Sequence, residues 1–75
     1  MDIQRLDKLQ EMAQAWIVAC GAPQWLKTQL QGYTAKASFL FDVGRLVQEE
    51  HIIDERAVVI VLEKAAREMW LEHHE

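Results

Sequence analysis

A regular spacing of apolar side chains through the middle of the sequence constrains the fold more than any other feature. Between Leu26 and Val47, an apolar or small residue recurs at alternating steps of four and three. This spacing places the residues on one face of an α-helix and does not fit the two-residue alternation of a half-buried strand. The stripe consists of Leu26, Leu30, Tyr33, Ala37, Leu40, Gly44 and Val47. The middle of the chain is therefore predicted to be helical.

The same segment has one weak point, at residues 31–34. Glycine costs a helix interior about 1 kcal/mol relative to alanine, and threonine is a poor helix former, so Gly32 and Thr34 together weaken the segment. The segment, which begins near Pro23, is therefore either one long helix or two helices separated near Gly32. Gly44 lies on the apolar stripe itself, which predicts a close crossing with another helix.

Two further helices flank this segment. Residues 3–20 carry apolar side chains at three- and four-residue steps, from Ile3 to Cys20, which is typical of an amphipathic helix. Gly21 follows at the position where a residue in the left-handed conformation would end this helix. The sequence thus predicts a first helix over residues 3–20.

The last helix is predicted over residues 55–71, with Asp54 as its N-cap. Residues 58–62 are rich in β-branched side chains and could form a strand. However, the sequence offers no second comparable strand to pair with it, and strong helix formers continue to Trp70. We therefore predict a helix.

These elements predict an all-α fold in which residues 1–75 form a single helical domain. The expected architecture is a small antiparallel three-helix bundle, or a four-helix bundle if the second helix breaks near Gly32. Hydrophobic residues make up 51% of the chain. Because a chain this short buries only about 60% of the surface that it exposes when unfolded, this is a large apolar share for so small a domain. We expect the surplus of apolar surface to serve a second copy or a partner, and we predict a homodimer.

The charge of the chain disfavours direct binding to nucleic acid. Its formal net charge is -4, from 12 acidic and 8 basic residues, and the basic residues are scattered, whereas phosphate backbones are bound by clustered Lys and Arg. The longest apolar runs, such as residues 57–62, are far shorter than the roughly 20 residues that span a bilayer. With one cysteine and no signal-peptide pattern, the chain is expected to be cytoplasmic, without membrane contact.

The sequence contains no group of residues suited to catalysis or metal binding. Cys20 is predicted at one pole of the bundle and His51 at the other, so they should not meet. His73 and His74 are adjacent, and adjacent helical residues point about 100° apart, so they do not chelate one ion. We therefore predict a protein that is not an enzyme, with no catalytic, cofactor-binding or metal-binding residues, and with a solvated polar tail.

The three tryptophans are predicted to lie at one pole of the bundle, where the end of the first helix, the start of the second and the end of the last meet. They either close the core or form an anchor patch, because tryptophan is enriched among interface hot spots. The predicted partner-binding residues are Trp25, Trp70, Met69, Tyr33 and Phe41.

From these features we predict a non-enzymatic protein–protein interaction module, that is, a small regulator, inhibitor or adaptor that acts by binding a partner protein. The alternative is a transcriptional or nucleic-acid-linked regulator that acts as a dimer or as an acidic mimic of nucleic acid. No stretch of the sequence carries a family motif that would decide between the two.

Overall fold

Four α-helices and no strand make up residues 3–73, which are the residues that the computed structural model describes. The helices are α1 (Ile3–Ala19), α2 (Gln24–Thr34), α3 (Ala37–Glu49) and α4 (Asp54–His73). The predicted all-α class is therefore confirmed, and residues 58–62 are helical. The side chain of Ile3 and all of His74 lie outside the described part of the chain.

The middle segment forms two helices, so the four-helix alternative is the one observed. The break lies at Lys36, whose backbone is extended (φ -91°, ψ 152°), and not at Gly32, which remains inside α2. The hydroxyl of Thr34 donates to the carbonyl of Gln31 at 2.8 Å, and the Lys36 N–H donates to the carbonyl of Tyr33 at 3.0 Å. These bonds satisfy carbonyls that the end of α2 leaves without helical partners.

The break changes which residues face the core. Leu26, Leu30 and Thr34 are buried in α2, but Phe39 and Val43 are the buried residues of α3. The predicted stripe therefore does not continue through the break, since Ala37 is exposed and Gly44 is half-exposed. In α3, Phe39 and Val43 face the core instead.

Helices α2 and α4 each pack against the other three helices. The fully buried side chains come from all four helices and include Ile17, Leu30, Phe39 and Leu62. An ion pair joins the start of α1 to the start of α4: Arg5 Nη2 donates to Asp54 Oδ1 at 2.6 Å. The first turns of α1 and α4 therefore lie at the same pole.

Two expectations about glycine are wrong. Gly21 does not adopt a left-handed conformation, because no glycine in the described chain has a positive φ; that conformation occurs at His51 instead (φ 56°), just after α3. Histidine is among the residues that tolerate this conformation better than most. Gly44 does not mark a close helix crossing, because a Cβ placed there would meet nothing within 4 Å.

Candidate partner-binding surface

Three aromatic rings meet at the pole formed by the start of α2 and the end of α4. The ring centroids of Trp25 and Trp70 are 5.9 Å apart with planes inclined by 23°, and those of Trp25 and His73 are 4.0 Å apart with planes inclined by 22°. We call these three residues the tryptophan pole. The His73 ring stacks on Trp25 and places the end of α4 beside α2, while His73 remains exposed.

The three tryptophans of the chain differ in how far they are buried. Trp16 and Trp25 are half-buried and pack against the core. In contrast, Trp70 keeps 44% of its surface exposed. Leu71 and Val18, in the last turns of α4 and α1, are also exposed. Trp16 and Trp25 thus help to close the core, and an anchor role for the exposed Trp70 stays a prediction.

A second feature is an open groove of about 530 Å³ between α3 and α4, which we call the α3–α4 groove. Its floor is apolar, and it is rimmed by charged side chains. The lining residues are Tyr33, Asp42, Arg45, Leu46, Glu50, Ile60, Val61, Lys64, Ala65, Glu68, Met69 and Glu72. Seven of them lie on α4 at steps of one, three and four, so they form one continuous face of that helix.

One end of the α3–α4 groove is acidic and is organised around Tyr33. The Tyr33 hydroxyl donates to Asp42 Oδ2 at 2.7 Å, and its ring packs edge-on against Phe39 with centroids 5.5 Å apart. Burial, the hydrogen bond to Asp42 and the negative charges of Asp42 and Glu68 raise the pKa of Tyr33 above its usual value of 10.0. Tyr33 thus joins α2 to α3 and places its ring beside two carboxylates.

A third feature lies on the other side of α3, where Phe41 projects beside a hollow of about 490 Å³. Phe41 has 70% of its surface exposed, although phenylalanine is usually buried. The hollow, which we call the α3 hollow, is lined by Leu6, Ala37, Leu40, Phe41, Gly44, Arg45, Gln48 and Glu49. Because Gly44 has no side chain, this part of the hollow is open.

The structure distributes the five predicted partner-binding residues over these three places. Tyr33 and Met69 line the α3–α4 groove, Trp25 and Trp70 stack at the tryptophan pole, and Phe41 stands at the α3 hollow. Sequence reasoning missed the groove residues on α4, such as Ile60 and Ala65. Their spacing was visible, but which face of α4 remains open depends on how the neighbouring helices pack.

Two observations on the described residues concern the predicted absence of reaction chemistry. Cys20 is half-buried and its Sγ donates to the carbonyl of Ile17 at 3.0 Å, which fits a packing role. Within residues 3–73, no three His, Cys, Asp or Glu side chains are grouped so that they could hold a metal ion. None of the helices in this part of the chain has the length and hydropathy needed to cross a membrane.

Comparison of the chain with protein-family models, with curated proteins and with solved structures gave no match.

Proposed function

We propose that this chain is a non-enzymatic interaction module, a small regulator, inhibitor or adaptor that acts by binding a partner protein. The observation that carries the proposal is the α3–α4 groove. Its apolar floor includes Leu46, Ile60, Ala65 and Met69, and it remains half-buried and open in the isolated chain. Binding sites for protein segments combine an apolar centre with a polar rim, and the groove has both.

Neighbouring residues extend this surface. Met69, at one end of the groove, is followed by the exposed Trp70 of the tryptophan pole. Large aromatic side chains at the edge of an apolar groove are typical anchors of protein interfaces. Trp70 does not line the groove, so a partner reaches it only by extending past Met69 and around α4.

The proposal is tested by affinity capture from the source cells with the wild-type chain and two lysine variants. Ile60 and Val59 are adjacent, half-buried and β-branched, but only Ile60 lines the groove. We expect Ile60→Lys to abolish capture of the partner, because it places a charge on the apolar floor, and Val59→Lys to retain it. Equal capture by both variants, each shown to be folded by circular dichroism, would rule out the groove as the binding site.

The proposal includes self-association through the α3 hollow. If two copies pack with their α3 helices antiparallel, Phe41 of each copy lies beside Gly44 of the other. Each phenylalanine ring then fills the space that the absence of a side chain at Gly44 leaves in the other copy. Such reciprocal contacts are what a two-fold symmetric interface requires.

The mass in solution tests this part of the proposal. We expect sedimentation equilibrium to give twice the mass of the chain, and Phe41→Lys to give a monomer. Val18→Lys is the matched control, because Val18 is also 70% exposed but lies on α1, and it should remain dimeric. A wild-type monomer at every concentration contradicts self-association and leaves the groove proposal unaffected.

A further inference from the structure

The α3–α4 groove has a length that suits a short helix. Its lining residues on α4 run from Ile60 to Glu72, and at a rise of about 1.5 Å per residue they cover roughly 18 Å. A bound helix of about three turns has the same length. Helix-in-groove recognition uses apolar side chains at such spacing as its anchors.

The walls of the groove also restrict the backbone of the occupant. Both walls are helices, whose backbone N–H and C=O groups bond within the helix. An extended segment would therefore find no sheet edge to join and would leave its own backbone groups without partners on the buried side. A helical segment satisfies its backbone internally and can bury an apolar face against the groove.

The charges on the rim of the groove favour one sign of charge on the occupant. The rim carries four carboxylates, on Asp42, Glu50, Glu68 and Glu72, and two cations, on Arg45 and Lys64. Along α4, Lys64 lies on the half of the groove nearer Ile60, whereas Glu68 and Glu72 lie beside Met69 at the other end. An occupant with basic residues flanking its apolar face is therefore electrostatically complementary to the groove, most strongly at the Met69 end.

From these observations we infer that the partner presents a basic amphipathic helix, which lies along the α3–α4 groove with its Lys or Arg residues toward Asp42, Glu68 and Glu72. This inference rests on the proposed function and specifies the chemistry of the partner. The apolar face of the helix covers Leu46, Ile60, Ala65 and Met69. Its cationic end lies beside Tyr33, whose hydroxyl already orients the Asp42 carboxylate.

The test uses the folded chain of 75 residues and three fluorescent 18-residue probes. The first contains leucines at helical spacing with lysines elsewhere, the second has glutamate in place of each lysine, and the third is a Leu–Lys scramble without an apolar face. We expect the first peptide alone to bind, with an affinity that falls when salt rises from about 0.05 M to about 0.5 M, because screening weakens attraction between exposed charges.

Two charge reversals on α4 locate the binding. Glu68→Lys changes a rim residue, whereas Glu63→Lys makes the same change of net charge at an exposed position outside the groove. We expect Glu68→Lys to weaken binding of the lysine peptide about fivefold or more, since it replaces an attraction by a repulsion. Glu63→Lys should change it by less than about twofold.

Equal weakening by both variants would overturn the inference, because it would indicate attraction to net charge without a site. Absence of binding by the lysine peptide, or equal binding of the three probes, would overturn it as well. If a cellular partner is still captured in an Ile60-dependent way, the proposed function survives and only the basic-helix partner is wrong. Groove-dependent dimerisation of the chain would instead identify a second copy as the occupant.

Discussion

Tyr33 shows how one residue links the fold to the candidate site. It is the single tyrosine of the chain, and its hydroxyl donates to Asp42 while its ring contacts Phe39. Ionisation of Tyr33 would place a negative charge in a half-buried position next to two carboxylates, so the folded state favours the neutral form. The folded state and the unfolded state therefore bind protons differently at alkaline pH.

We predict that the stability contributed by Tyr33 is fully present below pH 10.0, its usual pKa, and declines as the pH rises above it. The unfolded chain loses the phenolic proton there, while the folded chain retains it, so deprotonation favours unfolding. A spectrophotometric titration should show tyrosinate only as the chain unfolds. In denaturant, tyrosinate should form near pH 10.0. A folded chain that forms tyrosinate at the same pH as the denatured chain contradicts the described environment.

Thr34 illustrates a residue whose role depends on tertiary contacts. It is buried, and its hydroxyl donates to the Gln31 carbonyl and accepts from Gln14 Nε2 of α1 at 3.4 Å. Polar residues in a helix are expected to face solvent, and the contact with Gln14 joins positions 20 residues apart. Sequence reasoning identified Thr34 as a weak helix former but could not place it in the core.

At the scale of elements, the helices could be predicted because each carries its own apolar period. The strong periodicity of residues 3–20 and the helix formers after Leu62 are local signals, and α1 and α4 match them within a few residues. The bend at Lys36 was less predictable, because nothing in its side chain requires an extended backbone. Phe39, the first buried residue of α3, lies three positions after this bend.

Gly32 provides a direct test of α2. It lies inside this helix, is exposed, and a Cβ placed on it would meet nothing within 4 Å. We predict that Gly32→Ala raises the free energy of unfolding by about 1 kcal/mol, because alanine loses less backbone entropy in a helix. Urea denaturation measures the change. Gln29→Ala, at an exposed position of the same helix, should have little effect. A lower stability for Gly32→Ala would show that the chain is not helical at this position.

At the scale of the whole molecule, the surface is more informative about the candidate binding site than the core is. The core is formed by aliphatic side chains and Phe39, while Phe41, Trp70 and the floor of the α3–α4 groove remain accessible. The sequence predicted a surplus of apolar residues and named Met69 and Tyr33 among the anchors. It could not predict that these two share a groove, because that depends on how α2, α3 and α4 pack together.

The most direct test of the account is methyl NMR of the chain with and without its captured partner. We expect the methyl signals of Leu46, Ile60 and Met69 to shift on binding, because these side chains form the floor of the groove. Those of Val18 and Ile53, which are exposed elsewhere, should stay unchanged. Shifts confined to Val18 and Ile53, with the groove signals unperturbed, would contradict the claim that the α3–α4 groove binds the partner.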